Sequence, residues 1–206
     1  MIGCVSQRSG FSNQQQMRNL ILMAHISLDG FVASPDGKLD GFRSDEENLE
    51  FVCRICQEAD AALFGRISYQ LLHDFWPTAK DRPQASRGEI DFSAWYNRAQ
   101  KLVISRTLIN TKAANTVFFA ENVIKDIIHL KHQQGKSIVL FGSPSVAQLM
   151  MQNDLIDTYW IFINPAIFGK GIPLFKELKN PKELALMEVI QFANGELAVK
   201  YSNPMR

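Results

Sequence analysis

The chain has little charge of either sign to spare. Twenty-two Lys and Arg stand against 21 Asp and Glu, a net charge of +1 over 206 residues. Without a global basic field, nucleic-acid binding is not expected, and any anion site must be local. Cysteine is scarce: Cys4, Cys53 and Cys56 form an odd, sparse set. That argues against a disulfide framework and for a reducing, cytoplasmic compartment. No apolar run approaches the roughly 20 residues that cross a bilayer, so no membrane partner is expected. The start, residues 1–16, lacks the charged-then-apolar layout of a signal peptide. It is polar and rich in Ser, Gln and Asn, which reads as a disordered tail ahead of a single domain over residues 17–206. Metal-site patterns are missing too. Cys53 and Cys56 have redox spacing but fall in mid-helix, without a second pair for zinc. His129 and His132 share a helix face with Asp126 in an otherwise ordinary amphipathic pattern. No metal is expected.

What is present is a repeated junction. Ile138 to Phe141 is an apolar run cut off by Gly142-Ser143-Pro144, and a helical pattern starts at once. A strand that turns abruptly into a helix leaves N–H groups unpaired at the positive end of the helix dipole. Gly142 removes a side chain from that turn, and Pro144 suits a first helical position. Leu63-Phe64-Gly65-Arg66-Ile67-Ser68 is a second such junction, and Ile104-Ser105-Arg106-Thr107 places a hydroxyl and a guanidinium directly after a third strand. Arginine's planar fork suits phosphate. Three junctions at one sheet edge suggest an extended ligand carrying several phosphates. Taken singly, either Arg66 or Arg106 reads better as a surface residue paired with a carboxylate.

Along the chain, strands are expected at 20–26, 61–64, 101–104, 116–119, 137–141 and 156–163. Helices are expected at about 44–58, 67–73, 91–99, 123–132 and 145–153, with a polar loop over 77–88. Asn194-Gly195 marks a hairpin between 184–192 and 196–201. Strands alternating with helices, then strands alone, predict an α/β protein of three α-β-α layers. Its central sheet is mainly parallel and ends in a C-terminal antiparallel hairpin.

Five segments carry a family resemblance: Ile26-Ser27-Leu28-Asp29-Gly30-Phe31-Val32-Ala33, Phe64 to Tyr69, Ile104 to Thr107, Phe141-Gly142-Ser143, and Asn164 to Phe175 with its Gly169-Lys170-Gly171-Ile172-Pro173-Leu174-Phe175 loop. In this order they resemble the dihydrofolate-reductase-like fold. They are most similar to the reductase half of the bacterial bifunctional riboflavin-biosynthesis deaminase-reductase and its stand-alone relatives. The deaminase half's His-x-Glu and Pro-Cys-x-x-Cys pair is absent from the sequence.

The resemblance implies NADPH as cofactor. Gly65, Arg66 and Ser68 match the loop around the pyrophosphate and adenosine ribose. Ser105 and Arg106 match the segment that receives the 2′-phosphate. Gly142, Ser143, Ser145 and Val146 match the glycine-rich turn under the pyrophosphate and nicotinamide ribose. Ala24, Val32 and Ala33 would border the nicotinamide. That turn is commonly Gly-Gly with a cis peptide in dihydrofolate reductases, and Gly142-Ser143 departs from it.

On the substrate side, Asp29 and Glu47 are the candidate catalytic carboxylates. Asp29 reads equally as a turn residue and as a substrate contact. Glu47 falls near the pterin-binding carboxylate of dihydrofolate reductases, but Ser44-Asp45-Glu46-Glu47 also reads as a capping box. His25 is expected to be a core histidine bonded to backbone. Phe75-Trp76-Pro77 and Trp95-Tyr96 are expected in core packing or as a roof over a heterocycle. Arg43, Lys38, Arg82 and Lys170 are candidate cations for a substrate phosphate.

The implied activity is NADPH-dependent reduction of a small heterocycle, nearest to 5-amino-6-(5-phosphoribosylamino)uracil reduction. Dihydrofolate reduction and a non-catalytic NADPH-binding sensor or assembly role are the alternatives. The 156–163 strand and the C-terminal hairpin predict an exposed edge or face, and with it a homodimer.

Overall fold

Leu-Ile-Leu-Met-Ala-His-Ile-Ser forms strand β1 (Leu20–Ser27), in which every residue but His25 is buried. Burial on both faces is what a central parallel strand requires. The computed structural model describes residues 17–39, 41–42, 45–109, 111–176, 178 and 180–204. The expected tail, Cys4, Arg43 and the expected helix cap Ser44 lie outside these.

After β1 come β2 (Phe31–Ala33), α1 (Glu46–Gln57), β3 (Ala59–Gly65), α2 (Arg66–His73), α3 (Trp76–Ala79) and α4 (Arg87–Arg98). Then follow β4 (Gln100–Ile104), β5 (Thr116–Phe119), α5 (Val123–Lys131), β6 (Ser137–Phe141), α6 (Pro144–Gln152) and β7 (Thr158–Asn164). The chain ends with β8 (Ile172–Pro173), β9 (Ala185–Gln191) and β10 (Leu197–Ser202). Eight strands make one sheet in the order β5-β4-β3-β6-β1-β7-β10-β9. The pairs from β5 to β7 are parallel, whereas β10 runs antiparallel to both β7 and β9.

The two faces carry separate cores. Phe51, Val52 and Ile55 of α1 and Phe92, Trp95 and Tyr96 of α4 cover Ile21 and Met23 of β1. Ile127 of α5 and Val146, Ala147 and Met150 of α6 cover Leu20, Leu22 and Ala24 on the other side. Strict alternation along β1 therefore feeds two layers, and the three-layer expectation holds. The strand order reverses around β6 and β1: β3, β4 and β5 build outward on one side, and β6 returns beside β1. In open α/β sheets, ligands bind where such a reversal meets the C-terminal strand ends.

Three features differ from the sequence reading. Helix α4 begins at Arg87, inside the expected polar loop, because Ser86 and Glu89 form a reciprocal capping box. The same loop holds α3, whose Trp76 ring lies 4.3 Å from that of Phe92. The 156–163 segment, expected to offer an exposed edge or face, is an interior strand between β1 and β10. The edge falls to β9, where Leu186, Met187 and Val189 are exposed. The second, two-stranded sheet of β2 and β8 had no expectation at all.

Candidate functional site

The three junctions do converge. Gly65 ends β3, Ile104 lies beside it in register on β4, and Gly142 follows β6. The Gly65 amide donates to the Ser143 hydroxyl at 2.9 Å, tying the start of α2 to the start of α6. Because Ser143 Oγ is engaged there, it does not cap α6, and Gly65 has no side chain with which to cap α2. Two neighbouring helix starts thus present uncapped positive dipole ends, a suitable setting for an anion.

Gly142 has φ +44°, and a Cβ built there would meet no atom within 4 Å, so the turn borders open space. No cis peptide occurs among the described residues. Ser145 is exposed on the first turn of α6, and Val146 is buried against Gly65.

The arginines are not consumed by carboxylates. Arg66 donates to the Gln70 side chain at 3.1 Å on an exposed face. Arg106 is exposed and makes no ion pair among the described residues. It lines a groove with Ile109, Ala120, Glu121 and Asn122. Ser105 is buried, and its Oγ accepts from the amides of Thr107 and Leu108 at 3.2 and 3.1 Å. It shapes the loop that presents Arg106. Ser68 is half-buried on the first turn of α2. Ala24, Val32, Ala33 and Val146 all belong to one buried cluster.

Asp29 is a clamp. Its carboxylate accepts from the Ser27 hydroxyl at 2.6 Å, the Phe168 amide at 3.1 Å and the Gly169 amide at 2.7 Å. The Ser27 hydroxyl above all, helped by these amides, holds the carboxyl below the usual range. The turn after β1 and the Phe168–Gly171 loop, distant in sequence, are thereby held together. Gly171 completes the closure: a Cβ there would stand 2.4 Å from the Ala33 carbonyl oxygen.

Glu47 does not sit where the capping-box reading placed it. The N-cap of α1 is Asp45, which accepts from the Asn48 amide at 3.0 Å. Glu47 is exposed and accepts from the Ala193 amide at 3.3 Å.

The polar residues that face the sheet were not singled out from the sequence, except His25. Glu196, 0% exposed, lies just after the Asn194-Gly195 turn. Its carboxylate receives the Asn164 amide at 2.5 Å, the Asn48 side-chain amide, and His25 Nδ1 at 2.8 Å. His25 is not a backbone-bonded core histidine, as expected, but the partner of a buried carboxylate. Its side chain is 32% exposed, and its ring stacks on Phe162 at 4.4 Å. β1 pairs with β6 only as far as Met23–Phe141, and Gly142 N bonds back to Met23 O. Beyond that point the β6 side of β1 is open, and His25 stands there. Strand parity was the available signal: His25 shares a face with Ile21 and Met23, and Glu196 shares one with buried Ala198.

The two aromatic clusters differ: Phe75 is exposed and Trp76 half-buried with its ring against Phe92, while the second cluster is core. Trp95 and Tyr96 are almost wholly buried, and burial pushes the Tyr96 phenol up. Cys53 and Cys56 are buried in α1, where burial pushes the Cys53 thiol up to about 11 and Cys56 higher than its ordinary value. No group of residues suited to hold a metal occurs among the described residues, and no helix there is long and apolar enough to cross a membrane.

A mainly parallel sheet with paired uncapped helix starts at its reversal makes this an α/β protein with an anion-suited setting at the C-terminal strand ends. Residues 18–198 match the RibD C-terminal domain model, and the chain belongs to that reductase-like family. The Bacillus subtilis protein YyaP, itself uncharacterised, is 27% identical over 192 residues, covering 92% of this chain and 97% of YyaP. Among solved structures, a Shewanella sp. PV-4 protein named for riboflavin biosynthesis superposes with a TM-score of 0.68 at 20% identity, covering 89% of this chain and 98% of that one. The Thermotoga maritima diaminohydroxyphosphoribosylaminopyrimidine deaminase/5-amino-6-(5-phosphoribosylamino)uracil reductase gives a TM-score of 0.64 at 17% identity. That match covers 91% of this chain but 57% of the two-activity protein.

Proposed function

We propose that this protein is an NADPH-dependent reductase of a small heterocycle, of the class of 5-amino-6-(5-phosphoribosylamino)uracil. The observation that carries the reading is the pair of uncapped helix starts joined by the Gly65–Ser143 hydrogen bond, with Arg66 and Arg106 alongside and neither paired to a carboxylate. In this reading Gly65, Gly142 and the first amides of α2 and α6 hold the pyrophosphate. Arg106 takes the 2′-phosphate in the groove beside Glu121. When bound, the cofactor supplies a hydride; the chain supplies position and a dry surface for it.

Titration with NADPH and NADH, followed by nucleotide fluorescence, tests this reading. Wild type is expected to prefer NADPH. Arg106→Ala is expected to lose about 10- to 150-fold in NADPH affinity, the worth of a hydrogen bond to a charged group, with NADH unchanged. Binding of neither nucleotide would overturn the reading.

Dihydrofolate reduction is the weaker reading. It calls for a helix carboxylate facing the sheet, and α1 offers Asn48 there while Glu47 is exposed. A non-catalytic role would show as NADPH binding without oxidation by any pterin or pyrimidine.

The homodimer belongs with this proposal, through β9. An edge strand with Leu186, Met187 and Val189 exposed is a template for a second copy. Sedimentation is expected to give a dimer for wild type and a monomer for Leu186→Lys/Val189→Lys. A monomeric wild type would remove β9 from this role.

A further inference from the structure

The geometry points to His25 as the residue that hands a proton to the substrate nitrogen, with Glu196 as the group that positions it. This rests on the reductase reading above. When the sugar ring of a ribosylamine opens, the N–H proton passes to the ring oxygen and a C=N bond forms; reducing that bond needs a hydride at carbon and a proton at nitrogen, and the cofactor would bring only the hydride.

The two candidate catalytic carboxylates are engaged elsewhere. Asp29 is occupied by Ser27 and two amides, and Glu47 is turned to the hairpin backbone. His25 stands at the point where β1 parts from β6, with its ring held between Phe162 and the Glu196 carboxylate.

Among the described residues, the hydrogen-bond and ring partners of His25 and Glu196 are amides and an aromatic ring. Asn48 comes from α1, Phe162 and Asn164 from β7, and both amides donate to Glu196. With two side-chain amides already donating to it, the Glu196 carboxyl is used as an acceptor, and the His25 contact fits the same role. His25 Nδ1 therefore carries its hydrogen toward Glu196, and Nε2 is left as the site of the mobile proton. Nδ1 faces a fully buried group and one ring face lies on Phe162, which leaves Nε2 on the ring edge away from Glu196, in a side chain that is 32% exposed.

The step balances. The Nε2–H bond of the imidazolium breaks as an N–H bond forms on the substrate. The hydride and its two electrons come from the reduced nicotinamide, which is oxidised. Water then returns a proton to Nε2 through the exposed edge. Nδ1 keeps its hydrogen throughout, held against the Glu196 carboxylate, which fixes the ring's orientation. Asn48 and Asn164 hold the carboxylate in place.

The test is nitrogen-15 NMR of the histidine side chains, assigned with a His25→Phe variant. At about pH 9, where ordinary imidazoles are neutral, His25 is expected as the Nδ1–H tautomer. Glu196→Gln is expected to lose that fixed tautomer and Glu196→Asp to restore it. With NADP bound, adding 5-amino-6-(5-phosphoribosylamino)uracil is expected to move the Nε2 resonance. In turnover, His25→Phe keeps the stacking on Phe162. It is expected to lower kcat about 100- to 10,000-fold, the range for a general acid, with NADPH affinity unchanged. Glu196→Asp is expected to recover part of the near-neutral limb of the pH profile that Glu196→Gln loses.

An Nε2–H tautomer in wild type overturns the proposal alone. So does an Nε2 resonance that stays still with nucleotide bound and millimolar pyrimidine present. Undiminished turnover in His25→Phe does the same. Failure of wild type to bind NADPH overturns the reductase reading and this proposal with it.

Discussion

Lys131→Met is expected to cost about 3–5 kcal/mol of stability, the loss seen when one partner of a buried ion pair is removed. Lys131 is 1% exposed at the end of α5. Its ammonium donates to the Leu155 carbonyl at 2.7 Å and pairs with Asp157, whose carboxylate also accepts the Leu20 amide at 2.7 Å. The lysine therefore fixes the base of the sheet, where β1 and β7 begin. Methionine fills the stem's volume but leaves Asp157 without its cation and Leu155 without a donor. For a chain of this length the loss corresponds to a fall in Tm of about 6–20 °C. Thermal and urea unfolding measure it. Adding Asp157→Asn to Lys131→Met is expected to return part of the loss, since the amide oxygen still accepts from Leu20 and no charge is stranded. A double variant no better than the single one would place the cost in packing instead.

Trp95→Ala is expected to cost a similar amount, about 3–5 kcal/mol, and to weaken nucleotide binding as well. Trp95 is 1% exposed, and its indole N–H donates to the Ala59 carbonyl at 2.9 Å. Its ring lies 5.7 Å from that of Phe141 and 5.4 Å from that of Phe92. Phe141 is the residue before Gly142, so a cavity at Trp95 removes the support under the glycine turn. Trp95→Phe keeps most of the contact and loses only the hydrogen bond, about 0.5–1.5 kcal/mol. Urea unfolding and NADPH titration of both variants separate the two effects. If Trp95→Ala unfolds earlier but binds NADPH as wild type does, the glycine turn is held from elsewhere.

Much of this architecture is legible in local punctuation. Ile138 to Phe141 followed by Gly-Ser-Pro marks a strand ending on a helix, and the structure has both. Asn194-Gly195 marks the hairpin, and Gly195 indeed has φ +89°. What escaped depends on pairing across the chain. Phe31–Ala33 and Ile172–Pro173 are too short to show periodicity and exist as strands only because they meet. The start of α4 was written in Ser86 and Glu89, but the prolines and charges just before it suggested loop. The Glu196 cluster hid for a different reason. The partners of Glu196 lie 32 to 171 residues from it, and each member has an ordinary local role: hairpin flank, helix first turn, strand. Asp29 showed the reverse. Its motif marked it as important, while the three donors that hold it come from both its own turn and a distant loop.

The position of β1 has a consequence for how the cell makes this protein. Its residues Leu20 and Ile21 pair with Ile138 on one side and Thr158 on the other. The nearer of these neighbours lies 118 residues downstream of the strand. At about 5–20 residues per second, a ribosome leaves it waiting about 6–24 seconds for that neighbour. Through that interval a Leu-Ile-Leu-Met-Ala segment stands with both edges unpaired, open to association with other nascent chains. Yield should therefore suffer more than that of a sheet assembled from consecutive hairpins, and slower translation, which lengthens the interval, should lower it further.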